Sequence, residues 1–362
     1  MNRRDIFRTL PAISVASLAP AAQSPQVKAE VVRLNLKHTW TTVMSSSTFR
    51  DTLHVGLTSQ GITGVGEGAP IARYNESAVE GKKLVESLAP MLATSDLTQF
   101  SKILDQIFKK VEGNWAAKAA IDIALMDWVG KKLNVPLYQY FGLDAKDAPL
   151  TTFSIGIDNP EMTRKKIEEA ASYPVLKIKV GLDTDEATME TVRAATKKPL
   201  RVDANEGWTD KDEAVRKINW LEKMGVEFIE QPMPAHMIEE TKYVRKRVHM
   251  PIIADEACLH PRDIPKLAEA FDGINIKIDK CGGMLEAYRM IQIARSLGMK
   301  VMMGCMISSS VSCTAAAHLS PLIDYADLDG NLLISNDPYS GVKVEKGKLI
   351  LPKAPGLGLK KV

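Results

Sequence analysis

Eight short apolar runs, spaced by roughly 25 residues and separated by charged stretches of helical character, dominate the second half of the chain. They are Thr152–Gly156, Leu176–Val180, Leu200–Asp203, Phe228–Glu230, Ile252–Asp255, Ile274–Lys277, Lys300–Gly304 and Tyr325–Asp329. Strict alternation of this kind means parallel strands joined by crossover helices, because parallel neighbours cannot be joined by a tight turn. Eight such units in residues 148–330 fit an α/β fold of the (β/α)8 barrel type with compact helices. An open doubly wound sheet is the alternative. It calls for a glycine-rich phosphate turn after an early strand, and this chain has none.

The first part of the chain has another rhythm. Val27–Leu36 and Thr52–Thr58 carry the apolar and β-branched content of strands. Gly61 and the run Gly64-Val65-Gly66-Glu67-Gly68 read as turns. From about 76 to 140 the periodicity is helical, most clearly in Trp115–Lys132, and Gly142 follows as a stop signal. Residues 1–22 read as an export signal. Arg3 and Arg4 open a short basic stretch, Leu10 to Ala22 is modestly apolar, and Ala19-Pro20-Ala21 resembles a cleavage site. Asn2-Arg3-Arg4-Asp5-Ile6-Phe7 looks like a twin-arginine signal. A periplasmic or otherwise exported location is expected.

Charge and cysteine content exclude several classes. A formal net charge of +3 with dispersed basic residues leaves no footprint for nucleic acid. No segment reaches about 18 uninterrupted apolar residues, so the mature chain is expected to have no membrane span. Cys258, Cys281, Cys305 and Cys313 form no C-x-x-C pair, and no histidine stands at zinc-ligand spacing, so buried free thiols are expected.

The chemistry lies at the strand ends, where barrel active sites are built. Lys177 and Lys179 end strand two, Asp203 strand three, Glu230 strand four, Asp255 strand five and Lys277 strand six. The acids are separated by 27 and 25 residues, one βα unit each, which places them side by side. Buried carboxylates so close would repel one another, and a divalent cation resolves this. Oxygen-only ligands favour a hard ion such as Mg²⁺. Strands two and six flank the acids, so Lys179 and Lys277 should face each other across the mouth. Lys177, on the same strand face as Lys179, is expected to lower the pKa of Lys179 and make it a base near neutral pH.

Lys-Ile-Lys-Val from Lys177, Val-Asp-Ala-Asn-x-Gly-Trp from Val202, Ile-Glu-Gln-Pro from Ile229, Ala-Asp-Glu-Ala from Ala254 and Asn-Ile-Lys-Ile-x-Lys-x-Gly-Gly from Asn275 stand in this order. Together they resemble the muconate lactonizing subgroup of the enolase superfamily, over about residues 30–350. Ala116–Asp122 and Val135–Tyr138 belong to the resemblance. It implies an enolase-like barrel over 148–330 and an α+β capping domain over 26–147, completed by about 331–362. It also implies one Mg²⁺ per subunit on Asp203, Glu230 and Asp255, with Lys179 and Lys277 as the acid/base pair on opposite faces of a carbon. Lys177 would assist Lys179 and the substrate carboxylate. A mandelate-racemase-type site is disfavoured, because Lys300–Gly304 lacks the histidine it would need.

Asp327-Leu328-Asp329 puts two carboxylates on one strand face. In this subgroup an Asp-x-Asp there resembles that of dipeptide epimerases, where it receives the dipeptide ammonium. The resemblance thus implies an isomerase that inverts the C-terminal α-carbon of a dipeptide, with L-Ala-D/L-Glu from cell-wall peptide as the default substrate. Asn205, Met306 and Ser308 are further substrate-contact candidates. Two departures bear on the side chain. Met44-Ser45-Ser46-Ser47 lacks the arginine that alanyl-glutamate epimerases use, Arg50 being displaced, and Ser308 stands where many relatives carry Glu. Asp279, on the strand face of Lys277, is a further candidate for side-chain preference. o-Succinylbenzoate synthase, cycloisomerase and N-acylamino-acid racemase are alternatives, although the first two act on substrates with no ammonium for Asp327 and Asp329. A noncatalytic dipeptide-binding protein should have lost a lysine or an acid, and none is lost. The expected partners are a small-molecule substrate and further copies of the chain in a homo-oligomer.

Overall fold

The computed structural model describes residues 24–362, so the export-signal reading of residues 1–22 lies outside the described residues. The chain begins with a three-stranded antiparallel sheet. β1 (Gln26–Thr41) pairs with β2 (Ser46–Ser59), and β2 pairs with β3 (Ile62–Gly68). β1 and β2 are both longer than their apolar runs suggest, and they carry the β1–β2 hairpin tip out over the second domain, where the Thr41 carbonyl accepts the Ile157 N–H at 3.0 Å. The β2–β3 turn uses Gln60 and Gly61, both left-handed at φ 53° and 74°, as a tight hairpin turn requires.

The glycine run at 64–68 is strand, not turn. Helix Trp115–Leu133 lies directly on it. A Cβ at Gly64, Gly66 or Gly68 would stand 2.0, 1.9 and 1.9 Å from the carbonyl oxygens of Ala124, Ala120 and Ala116. A two-residue strand repeat of small residues meets a four-residue helix repeat of alanines, and the two backbones close to contact. Helices Ala78–Ala93 and Phe100–Lys110 complete the layer. Its core is Leu53, Val55, Leu57, Val85, Leu88 and Trp128 with their neighbours.

The second domain is the barrel. Its strands are β4 (Phe153–Ile155), β5 (Leu176–Lys179), β6 (Leu200–Asp203), β7 (Val226–Glu230), β8 (Ile252–Ala254), β9 (Gly273–Ile276), β10 (Lys300–Gly304) and β11 (Tyr325–Asp327). They pair in parallel in chain order, and a bridge from Thr151 to Ala326 closes the ring. All eight strands stand where the apolar runs place them, but β8, β9 and β11 end before Asp255, Lys277 and Asp329. The strict strand–helix alternation holds for seven connections only. After β11 the chain makes a single 3-10 turn, Gly330–Leu332, and returns to the cap, where Ile334 bridges Leu36. The tail beyond it buries Val342, Leu349, Leu351 and Leu357 in the barrel's apolar cluster.

Cap and barrel are docked by carboxylates at helix N-termini. Glu67 of β3 accepts the Ser309 and Ser312 N–H groups, at 2.9 and 3.1 Å, where helix Ser310–Leu319 begins. Asp122 accepts the Met284 N–H at 2.7 Å, where helix Met284–Ser296 begins. Free N–H groups and the helix dipole make these ends natural anion sites.

His318 gives the fold an acid-sensitive point. It is fully buried, its Nδ1 accepts the Tyr138 N–H at 3.1 Å, and its Nε2 meets the Leu357 carbonyl at 3.2 Å. Only a neutral imidazole can accept that N–H. Burial pulls its pKa from 6.5 to about 4. A base depressed by folding contributes stability above pH 6.5 that is lost as pH falls towards 4, about 3 kcal/mol over that window. His318→Gln is expected to flatten the pH dependence of the urea midpoint between pH 6.5 and 4 relative to wild type. An unchanged slope would remove His318 from the acid response.

Candidate active site

The C-terminal ends of the barrel strands floor a cavity of about 420 Å³, and the cap roofs it with Trp40, Met44, Arg50 and Tyr74. Parallel register sets Lys179 beside Asp203 and Asp203 beside Glu230, and Asp255 follows directly on β8. All three carboxylates are buried, and one oxygen from each lies within 4.8 Å of the others. The spacing of one βα unit thus brings the acids together as expected.

The lysines converge on them. Lys177 Nζ lies 3.2 Å from Asp203, 2.7 Å from Glu230 and 2.7 Å from Asp327. Lys179 reaches Asp203 at 2.5 Å and Lys277 reaches Asp255 at 2.8 Å, on either side of the trio. Lys280 holds the other oxygen of Asp255. Gly304 leaves room for this: a Cβ there would come within 3.2 Å of Lys277 Cε.

The trio fits a hard divalent ion. It offers oxygen donors only, and Glu230 Oε2 is fully buried with no hydrogen bond. Lys177 Nζ, 2.7 Å from that oxygen, faces it without hydrogen-bond geometry. Asn275 donates to the other Glu230 oxygen at 2.7 Å, and the Asn205 N–H donates to Asp203 at 2.9 Å, fixing the orientation of both carboxylates.

The charges set the ionisation states. Burial works against the Lys277 ammonium, but Asp255 and Glu230 outweigh it and hold its pKa above the ordinary value. The Lys177 ammonium is likewise disfavoured by burial, yet Asp327, Glu230 and Asp203 hold its pKa well above the ordinary range. Lys177 is thus held as an ammonium whose charge is shared among three carboxylates. Burial alone would raise Asp327, but Lys177 keeps it below the usual carboxylate range. Asp329 is pushed up to about 7 by burial and by Asp327, and Glu256 to about 8 by burial and by Asp255 and Asp203.

Lys177, Asn205, Met306, Asp327 and Asp329 all line the cavity. Ser308 does not. It is fully buried behind the wall, with its hydroxyl 3.3 Å from the Met306 carbonyl and 3.4 Å from Cys313 Sγ, because the loop after β10 turns this side chain towards helix Ser310–Leu319. Asp279 also lies outside the cavity. It accepts the Ala69 N–H at 2.7 Å and the Ser312 hydroxyl at 3.3 Å, and so anchors a cap loop rather than facing a ligand. The four cysteines are free; Cys258, Cys281 and Cys313 are buried as expected, while Cys305 is half-buried and lines the cavity.

Sequence reading missed the supports of the acidic pair. Thr152 and Ser154, at the start of the barrel, donate to Asp327, and the Ser154 N–H donates to Asp329 at 2.6 Å. Ring closure of β4 against β11 brings them together from about 175 residues away. It also missed Trp40, Arg73 and Tyr74, which reach the cavity through cap docking.

A barrel with an acid trio between two lysines, under an antiparallel cap, defines a carbon acid/base enzyme of the enolase type. Residues 162–360 match the enolase C-terminal domain-like family. Residues 27–142 match the mandelate racemase / muconate lactonizing enzyme N-terminal domain. The chain belongs to the mandelate racemase / muconate lactonizing enzyme family of the enolase superfamily. It is 42% identical over 336 residues to the L-Ala-D/L-Glu epimerase of Bacteroides thetaiotaomicron, covering 91% of this chain and 86% of that protein. The substrate-liganded L-Ala-D/L-Glu epimerase from Bacillus subtilis superposes with TM-score 0.89 at 29% identity, covering 94% of this chain and 99% of the other. The dipeptide epimerase from Enterococcus faecalis V583, complexed with Mg and L-Leu-L-Tyr, superposes with TM-score 0.87 at 34% identity, covering 94% and 99%.

Proposed function

We propose that this protein is a Mg²⁺-dependent dipeptide epimerase that inverts the α-carbon of the C-terminal residue. The observation that carries the reading is the placement of Asp327 and Asp329 in the same cavity as Lys179, Lys277 and Asp255, with Asp203 and Glu230 buried beside Asp255. A free ammonium at one end of a ligand and a carboxylate at the other match those two ends. Burial and the neighbouring Asp327 together raise Asp329 to about 7, and a cation beside the pair would offset both. The alternatives whose substrates carry no ammonium leave that pair without a partner.

Mg²⁺ held by Asp203, Glu230 and Asp255 would draw off the negative charge that develops on the substrate carboxylate as the α-proton leaves. Of Lys179 and Lys277, whichever is neutral takes the proton, and the other, as ammonium, returns one to the opposite face. Lys177, between the trio and Asp327, fixes the spacing of the two ends. Trp40 and Met44 cover the mouth and limit water. The basic-then-apolar order of residues 1–22 supports export, which would bring the enzyme to cell-wall fragments.

The relatives differ in side chain, one being named for Glu and another holding L-Leu-L-Tyr. The reading that fits this cavity best is an acidic side chain. Arg50 is half-buried in the lining, and its bond to the Phe49 carbonyl, at 3.4 Å, is weak. Burial lowers its pKa, and among the described residues no carboxylate lies within 4.0 Å of it. Asp51 beside it is taken by Arg33 at 2.8 Å. A partly desolvated guanidinium without a counter-ion favours an anionic ligand group.

The test is incubation of L-Ala-L-Glu and the uncharged L-Ala-L-Gln in deuterated water with Mg²⁺, read by mass spectrometry and chiral chromatography. Label is expected in the C-terminal residue with inversion, faster for Glu, and chelation should stop it. Arg50→Met is expected to lower kcat/KM for L-Ala-L-Glu roughly ten- to hundredfold and to spare L-Ala-L-Gln. No exchange with any dipeptide would reject the epimerase reading. An equal loss on both substrates would reject the role of Arg50.

A further inference from the structure

The cap segment Pro70–Asn75 crosses the cavity mouth, and Pro70, Ala72, Arg73 and Tyr74 line it. Both its ends are pinned by hydrogen bonds, buried at the first and part-buried at the second. Before it, the Ala69 N–H donates to Asp279 at 2.7 Å. After it, Glu76 accepts the N–H groups of Trp115 and Ala116 at 2.5 and 3.1 Å, at the start of a cap helix. Between these anchors, among the described residues, one side-chain pair bonds the segment to the barrel. Arg73 meets Glu206 in a two-pronged ion pair, Nε to Oε2 and Nη2 to Oε1, each 3.1 Å.

Glu206 is built for this. It stands three residues after Asp203, in the loop beyond β6, and its side chain is only 13% exposed while that of Arg73 is 41% exposed. Its carboxylate also accepts the Ala235 N–H at 2.7 Å, from the loop beyond β7. Its backbone N–H donates to the Gln231 carbonyl at 2.9 Å. Glu206 therefore gathers three segments around the mouth. Asn205 and Glu206 are successive non-glycine residues in the left-handed region, at φ 43° and 68°. That conformation is disfavoured for side-chain-bearing residues and persists where surrounding bonds determine it. Here it turns the Glu206 carboxylate to the cap while Asn205 stays on the cavity wall, its amide donating to Glu256 at 3.1 Å.

We propose that Glu206 is a positioning residue that latches the Pro70–Asn75 segment over the cavity through Arg73, and that this latch controls how tightly substrate is held. It has no part in proton transfer, since neither partner bonds to the lysines or the acid trio. The consequence for substrate holding rests on the epimerase reading. The latch itself does not.

The test compares Glu206→Gln, Glu206→Gly, Arg73→Met and the double variant Arg73→Met/Glu206→Gln in the full chain. Glutamine keeps an oxygen for the Ala235 N–H and loses the ion pair. Glycine accepts the left-handed backbone at no steric cost, so it separates the backbone from the latch. Two readouts are taken. Trypsin cleavage at Arg73, followed by mass, is expected to quicken roughly three- to tenfold in both Glu206 variants. KM for the dipeptide is expected to rise by a similar roughly three- to tenfold factor with kcat changed less than about twofold, and the double variant should be no worse than either single one. Unchanged cleavage at Arg73 would overturn the latch. So would a fall in KM for an acidic dipeptide in Glu206→Gln, which would mean that the freed Arg73 binds substrate itself. Wild-type chain that turns over no dipeptide would sink the epimerase reading, while the cleavage comparison would still decide the latch.

Discussion

Lys277→Ala is expected to lower epimerisation of either dipeptide stereoisomer by about a thousandfold or more, the scale of losing a positioned acid/base group at the reacting carbon. The fold should survive, because Asp255 keeps its bond to Lys280 and is not left as an unpaired buried charge. The loss should be one-sided in a telling way. With Lys277 gone, Lys179 still stands beside Asp203 on the other side of the trio. It can still remove the α-proton that faces it and return a deuteron to the same face. In deuterated water one stereoisomer should therefore exchange without inversion, and its epimer should stay unlabelled. Lys179→Ala should show the reverse preference. Mass spectrometry with chiral separation reads both outcomes. Retained full turnover in Lys277→Ala, or equal exchange of both stereoisomers, would remove the two-sided mechanism.

The floor of the site was readable in the sequence because each charge interrupts an apolar strand at its end, where a buried acid or lysine calls for an explanation. The roof was not. Arg50, Arg73 and Tyr74 reach the cavity only because Glu67 and Asp122 dock the cap onto two barrel helices, and no local periodicity encodes a contact between Glu67 and Ser309 242 residues apart. Gly64, Gly66 and Gly68 were misread because a turn and a close backbone approach call for the same residue, and only the facing alanines of helix Trp115–Leu133 separate the two. Asp327 and Asp329 were found by their spacing, while their supports, Thr152 and Ser154, were hidden because the ring closes between the two ends of the barrel sequence. Ser308 was placed in the site by resemblance, because it stands where many relatives carry Glu. The direction of a loop side chain follows from packing, which the order of residues does not state.

Asp255→Asn is the substitution expected to damage both activity and fold. Asp203 and Glu230 each serve the trio and the cavity lysines, but Asp255 also neutralises Lys280. Lys280 is almost wholly buried, and its other bonds go to the carbonyls of Asp255, Cys258 and Asn275, at 2.6, 3.2 and 3.2 Å. An asparagine leaves that ammonium without a counter-ion, which costs about 3–5 kcal/mol for a buried pair. Asp203→Asn, by contrast, leaves Lys177 with Glu230 and Asp327 and should unfold at a higher temperature than Asp255→Asn. Both variants should lose epimerisation, so their difference in thermal midpoint isolates the Lys280 contribution. Mg²⁺ at about a hundred times its dissociation constant should stabilise wild type by about 2.7 kcal/mol. The same addition should leave both variants nearly unmoved. Equal midpoints for the two would deny Lys280 its special dependence on Asp255, and a full Mg²⁺ response in Asp255→Asn would place the ion away from the trio.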